Sequence, residues 1–188
     1  MTEICDEAFD KIDFKTTVLA HKEYVNCTFK KCDFSNVVLS ELRFIECEFV
    51  TCNLSLTDLF KASLIDVVFT DSKLLGLQFD KCNQFGLSFK LNDCFLQHCS
   101  FYRTILKKSV FSNSKFWEVD FTECDLTNAV FNNCDFKKST FENTILEKAD
   151  FSTCINYSIN PNANKIKKAK FSLPSVVGLL DYLDIKID

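Results

Sequence analysis

The stretch FTECDLTNAVFNNCDFKKSTF, residues 121–141, repeats with a period of five residues. Phe or Leu stands at Phe121, Leu126, Phe131, Phe136 and Phe141, and a small residue stands two positions before each of them. An α-helix repeats every 3.6 residues and a β-strand every two, so neither element alone explains a period of five. The stretch therefore predicts a repeat architecture, in which one small unit is stacked many times.

The same period runs through most of the 188 residues. From Phe9 to Phe89, all residues at steps of five are Phe, Leu or Tyr except Gln84. After a slip of two residues the period resumes at Leu96 and continues to Phe151. We call these positions the central residues, and 17 of the 21 Phe occupy them.

A second period of twenty residues decides the geometry. Residue type is matched better at steps of twenty than at steps of five, and the first such series contains only Phe: Phe9, Phe29, Phe49, Phe69 and Phe89. Four pentapeptides therefore make one coil, and successive coils stack with like residues over like. This predicts an all-β, four-sided solenoid whose neighbouring coils pair as parallel strands about 4.8 Å apart.

The pattern resembles the pentapeptide-repeat family, whose motif is A-(D/N)-L-x-x. It is best kept in ECDLT, residues 123–127, and NCDFK, residues 133–137, and the resemblance extends over residues 7–156. The resemblance implies a right-handed quadrilateral parallel β-helix. Large central residues fill a narrow interior column, and the residue two positions earlier must be small.

The period and its interruptions predict six segments. These are an N-terminal lead-in (1–8), a first stack (9–89), a register break (90–95), a second stack (96–156), a polar connection (157–170) and a C-terminal cap or dimerisation module (171–188). Gln84 at a central position marks the region of the break, which we interpret either as a hinge or contact loop or as a tolerated insertion. Ser172 and Pro174 predict a short α-helix in the last segment.

The eleven Cys follow the repeat. Ten of them lie two positions before a position of the five-residue period, Cys154 before Asn156 among them, and only Cys5 does not. This predicts small, buried and reduced side chains. There is no C-x₂-C pair and the chain has only two His, so we expect no metal site and no cofactor. The sequence also lacks a Gly-rich phosphate loop and any recognisable nucleophile–base arrangement, which predicts a protein without catalytic residues.

Charge and hydropathy limit the partners. The net charge of −4 argues against direct binding of nucleic acid. No apolar run reaches the length of a membrane span, and the first residues lack a signal-peptide core, so we expect a cytoplasmic protein that does not associate with membranes. A protein partner is the remaining class.

Outward positions give candidates for a partner surface. One column at steps of twenty is apolar and contains Val25, Ile45, Ile65 and Phe85. In the second half Tyr102 and Trp117 face outward, and Trp117 is either a binding residue or packs against the terminal segment. Two outward acids complete the list of candidates, Asp120 and Glu123.

The C-terminal segment is more apolar than a small cap requires. Its candidate residues for covering the solenoid end or for pairing two chains are Val176, Val177, Leu179, Leu180 and Leu183. A solenoid end needs a cap, so an intramolecular role is one interpretation. Resemblance to the family members that act on type II topoisomerases implies the other, a homodimer formed through the C-terminus.

Two functions lead at this stage, with a small-molecule or metal binder as a third alternative. One is a non-catalytic protein–protein interaction solenoid whose partner the sequence does not assign. The other follows from resemblance to the Qnr-type quinolone-resistance group, and it implies a DNA mimic that binds DNA gyrase or topoisomerase IV and protects it from quinolones or a toxin.

Overall fold

Short parallel strands wind into a four-sided solenoid in the computed structural model, which describes residues 3–20 and 22–187. The strands are β1 (Glu3–Cys5), β2 (Ala8–Asp10), β3 (Glu23–Val25), β4 (Thr28–Lys30), β5 (Arg43–Ile45), β6 (Glu48–Val50), β7 (Ser63–Ile65), β8 (Val67–Thr70), β9 (Lys73–Leu75), β10 (Phe89–Asn92), β11 (Phe95–Gln97), β12 (Val110–Ser112), β13 (Lys115–Trp117) and β14 (Val130–Asn132). Three short 3₁₀ helices complete the fold: Phe79–Lys81, Ser175–Leu179 and Asp181–Leu183.

The strands form three parallel sheets, one on each of three faces. The first face carries β1-β3-β5-β7, the second β2-β4-β6-β8-β10-β12-β14 and the third β9-β11-β13. The fourth face is held by isolated parallel bridges such as Val38↔Asp58 and Ser100↔Asp120. The predicted all-β quadrilateral parallel β-helix is therefore confirmed.

Stacked rings build the core, as the twenty-residue period predicts. Phe9 pairs with Phe29 and Phe29 with Phe49, and the rings of the second pair lie 4.9 Å apart with an angle of 14° between their planes. Phe29 and Phe131 are at most 1% exposed, and almost every other central residue is buried. One coil cannot hide such side chains alone, so stacking on the neighbouring coils stabilises each one.

The ten Cys of the repeat are buried and free, as predicted, and Cys5 is exposed. Their thiols also make weak hydrogen bonds: Cys52 Sγ donates to Phe29 O of the preceding coil (3.2 Å) and lies 3.5 Å from Val50 O. Burial raises the pKa of the Cys52 and Cys82 thiols to about 12. These side chains fill volume and are chemically protected.

We expect one thiol of the native protein to react with a disulfide reagent at pH 8, and eleven after unfolding. The reactive thiol should be Cys5, and its reaction should be slow, because a hydrogen bond to Glu3 raises its pKa to about 11. Ellman's titration of wild type and Cys5→Ser measures this directly. Reaction of several thiols before unfolding would contradict the packed core.

The register break lies earlier than predicted. Asn83 N–H still donates to Ala62 O, as in a regular coil, whereas Phe89 pairs with Val67 at a step of 22 residues. The two extra residues therefore fall within residues 84–88, which we call the break loop, and not within 90–95. The carboxamide of Gln84 is not buried in the core; its Nε2 donates to Phe79 O (3.1 Å) and Cys82 O (3.0 Å).

The solenoid is longer at both ends than the predicted stacks. At the N-terminal end β1 pairs with β3, so the lead-in is already part of a coil. At the other end Lys165 bridges Ile145 and Lys170 bridges Asp150, so the ladder continues through the predicted polar connection. Polar residues can serve here because outward positions need no apolar side chain.

The C-terminal segment forms 3₁₀ turns, and the predicted α-helix is wrong in type. Val176 and Val177 are β-branched and Gly178 follows them, so the segment has low helix propensity. It is held on the solenoid by a hydrogen bond from Ile159 N–H to Gly178 O (3.0 Å) and by Leu179, which packs against the core.

Candidate interaction surfaces

Three of the four predicted ridge residues lie together on the first face. Val25 pairs with Ile45 and Ile45 with Ile65, and all three are half-buried by their neighbours. Phe85 lies outside this column, because the chain leaves the ladder after Asn83, and its side chain is 86% exposed on the break loop. The most accessible part of the predicted ridge is therefore the loop and not the sheet.

Trp117 is enclosed by residues of its own face. Its ring meets Phe95 edge to face at 5.2 Å, and its Nε1 donates to Asp135 Oδ2 at 3.0 Å. The ammonium groups of Lys115 and Lys137 lie 5.4 and 5.1 Å from its ring centroid. These contacts hold Trp117 half-buried through β11 and its neighbours, not through the terminal segment.

Tyr102 and Glu123 come together with Arg103. The guanidinium of Arg103 lies 4.8 Å from the Tyr102 ring and bonds both carboxylate oxygens of Glu123, at 2.6 and 3.2 Å. The hydrogen bond from Arg103 lowers the pKa of Glu123. Asp120 accepts a hydrogen bond from Thr122 N–H (2.8 Å).

Many outward acids have basic partners within the chain. Lys15 Nζ lies 2.6 Å from Asp33, Arg43 Nε lies 3.3 Å from Glu23, and Lys170 Nζ lies 3.1 Å from Asp150. Exposed pairs of this kind stabilise the fold little. They nevertheless break up the negative field that a DNA-like surface would need.

A second apolar patch was missed by the sequence analysis. It consists of Val18, Val38, Leu56 and Phe60, which are between 47% and 86% exposed. Phe60 could have been found from the sequence, because it stands directly after the central residue Leu59 and must therefore point outward. Val18 and Val38 lie twenty residues apart and therefore share an outward column, which is a weaker sequence signal for the same patch.

The predicted C-terminal residues divide into two groups. Val176 and Leu179 are half-buried, and Leu179 faces the solenoid end. Val177, Leu180 and Leu183 are exposed. Four further large apolar side chains of the same segment are exposed: Leu173, Tyr182, Ile185 and Ile187. Covering the end thus uses only part of the apolar surface that the segment carries.

A surface notch of about 340 Å³ lies beside the break loop. Three segments line it: residues 66–68, 88–90 and 107–110. Lys90, Lys107 and Lys108 belong to this lining, against one acid, Asp66. The notch is locally basic on a protein whose net charge is −4.

Within residues 3–20 and 22–187, no three His, Cys, Asp or Glu side chains are grouped as metal ligands would be. Over the same residues there is no helix with the length and hydropathy needed to cross a bilayer. The features of the described surface are thus apolar patches, ion pairs and the notch.

The sequence profile described as a pentapeptide repeat region matches residues 22–94 and 77–151. These matches cover more than half of the chain. The chain belongs to the pentapeptide-repeat family. No curated protein matches it by sequence.

Solved structures that resemble this family member have little sequence identity to it. A trypsin-treated form of QnrB1, a plasmid-mediated fluoroquinolone resistance protein, matches with a TM-score of 0.55 and 15% identity, over 99% of this chain and 98% of that one. HetL from the cyanobacterium Nostoc sp. strain PCC 7120, a pentapeptide repeat protein involved in heterocyst differentiation regulation, matches with a TM-score of 0.43 and 15% identity, over 89% and 84%. At these identities the first likeness concerns the fold alone.

Proposed function

We propose that this protein is a non-catalytic interaction solenoid that binds another protein through its outward apolar side chains. The observation that carries the proposal is Phe85, which is 86% exposed on a loop where the regular ladder is interrupted. Aromatic side chains are enriched among the residues that contribute most to protein–protein binding. The interior is filled by stacked rings, which leaves the outer surface as the place where partners can act.

Affinity capture from cells that make the protein tests the proposal. We expect wild type to retain one partner reproducibly and Phe85→Asp to lose it, since the substitution puts a charge into the contact without affecting a buried site. Phe60→Asp, on the other apolar patch, and Lys138→Glu, on a regular corner, serve as matched surface controls. If Phe85→Asp retained the same partner as wild type, the loop would not be the contact.

We also propose that two copies pair through the C-terminal segment. Leu180→Asp should then convert a dimer of roughly twice 21.7 kDa into a monomer, because a carboxylate cannot be buried between apolar surfaces without a partner. Light scattering coupled to size-exclusion chromatography measures the mass. Val18→Asp is the control, since it changes an equally apolar exposed residue elsewhere; an unchanged mass of Leu180→Asp would refute the pairing.

A second candidate is binding of a type II topoisomerase as a DNA mimic. The observation in its favour is the near full-length match in fold to QnrB1, a fluoroquinolone resistance protein. We rank it second because acids such as Glu123 and Asp33 have basic partners within the chain. DNA supercoiling by gyrase, with and without ciprofloxacin, decides it: inhibition or rescue by the protein would support mimicry, and no effect at tens of micromolar would exclude it.

A further inference from the structure

The ladder of backbone hydrogen bonds between neighbouring coils is interrupted on the first face, beside the break loop. In regular coils the residue before a central residue bonds the preceding coil through both its backbone N–H and its backbone C=O. For example, Asp125 N–H donates to Thr104 O (2.9 Å), and Asp125 O accepts from Leu106 N–H (2.8 Å). Ile105 occupies the equivalent place one coil earlier, as its bridge to Asp125 shows. Among the described residues, neither its N–H nor its C=O has a hydrogen-bond partner.

The missing partners are those that the break loop would supply in a regular coil. By the same pattern, Ile105 N–H would donate to Cys82 O, and Lys107 O would accept from Gly86 N–H. Cys82 O is instead bonded by the side chain of Gln84, at 3.0 Å. Within residues 3–20 and 22–187 Lys107 O likewise has no partner. The side chain of Gln84 thus bonds the carbonyl on the break-loop side. The facing backbone groups, Ile105 N–H, Ile105 O and Lys107 O, have no partner among the described residues.

An open strand edge is a template for another strand. Its unpaired N–H and C=O groups bind an extended peptide through main-chain hydrogen bonds, and the side chains beside the edge select the sequence. Natural proteins cover or distort such edges unless they use them. Ile105, at this edge, is 65% exposed to solvent.

The side chains around this edge specify the chemistry of the occupant. The notch is lined by Lys90, Lys107 and Lys108, and Lys107 is already paired with Asp125 (3.2 Å). Lys90 and Lys108 make no ion pair with any described residue. Two unpaired ammonium groups on an acidic protein favour an acidic segment, and the exposed Ile105 offers an apolar contact on the same edge.

We propose that the edge at residues 105–107 binds an extended, acidic segment of a partner protein, which adds to the first face as a further strand. The proposal rests on the proposed function, because it names the kind of partner that an interaction solenoid takes at this loop. Backbone groups of the segment bond Ile105 and Lys107 in the place that residues 84–86 leave empty. Its acidic side chains face Lys90 and Lys108, and an apolar side chain lies on Ile105.

Amide hydrogen exchange by NMR tests whether the edge is open. In the free protein the Ile105 amide should exchange much faster than the Asp125 amide, its counterpart in the next coil. Equal protection of both amides would overturn the proposal, since it would mean that the edge already has a partner in solution.

Two fluorescein-labelled peptides test the occupant: eight residues of alternating Asp and Val, and the same length of alternating Lys and Val. Alternation places one residue type on each side of an added strand. We expect the acidic peptide to bind, to slow exchange of the Ile105 amide, and to bind about tenfold more weakly to Lys108→Glu. Lys138→Glu is the matched control, because Lys138 is also exposed and has the same left-handed backbone, with φ of 58° against 61° at Lys108.

Equal binding of the two peptides, no binding of the acidic one, or the same loss in both variants would each overturn the proposal. These results are distinguishable from failure of the proposed function. If affinity capture still retained a partner that Phe85→Asp loses, the protein would remain an interaction solenoid with a different mode of contact. If capture retained nothing, the proposed function itself would fail.

Discussion

Phe131→Asp should leave no folded protein. Phe131 is 1% exposed, and its ring lies 4.7 Å from Phe151, 5.1 Å from Phe136 and 5.4 Å from Phe111, each measured between centroids. Truncating a buried Phe costs about 3–5 kcal/mol, and an unpaired buried carboxylate adds several more. The sum approaches or exceeds the total stability of an ordinary domain, about 5–15 kcal/mol.

Phe85→Asp is the matched control for this substitution. It makes the same chemical change at an exposed Phe, and we expect a folded, β-rich protein whose melting temperature is close to that of wild type. Circular dichroism of the two variants, after equal expression and purification, provides the comparison. A soluble, β-rich Phe131→Asp would mean that the ring column does not hold the solenoid together.

Gly178→Ala should detach the C-terminal segment from the solenoid. A Cβ at this position would lie 1.9 Å from Tyr157 O and 3.1 Å from two further atoms of Tyr157. The carbonyl is backbone and cannot turn away, so the segment must move and lose the bond from Ile159 N–H to Gly178 O. Overpacking of this kind typically costs about 1–3 kcal/mol, enough to undock a short segment with few other anchors.

Limited proteolysis and hydrogen exchange measure the detachment. We expect early cleavage within residues 171–187 and faster exchange of the Ile159 amide, while the melting of the coils changes little. Val177→Ala is the control, because Val177 is exposed next to Gly178. If Gly178→Ala kept the protection of wild type, docking by close backbone approach would be wrong. If the segment also pairs two chains, the same variant should be a monomer.

The sequence predicts the core of this protein because the core depends on one simple rule. A period of five and a step of twenty place Phe29 above Phe9 and identify Cys52 as a small buried residue, and both positions follow from stacking alone. The same rule predicts which residues point outward. It identifies Phe60 and Phe85 as exposed, although only Phe85 was selected as a candidate.

What the rule does not determine is local hydrogen bonding. The slip of two residues could lie anywhere between Phe79 and Leu96. The bond from Asn83 N–H to Ala62 O and the pairing of Phe89 with Val67 together place it in the break loop. The contacts of Trp117 depend on Phe95 and Asp135, which belong to other pentapeptides. The docking of the C-terminal segment depends on the close approach of Gly178 to Tyr157 of the preceding coil, which the repeat alone does not specify.

Cross-linking mass spectrometry on the protein in its own cells tests the central claim, that the outward surfaces are where this solenoid acts. Lysines are spread along the solenoid, so an amine-reactive cross-linker reports each face separately. We predict links to another protein concentrated at Lys90, Lys107 and Lys108, and links to a second copy near the C-terminal end at Lys186. Absence of links to other proteins, or an even distribution over all lysines, would contradict the account.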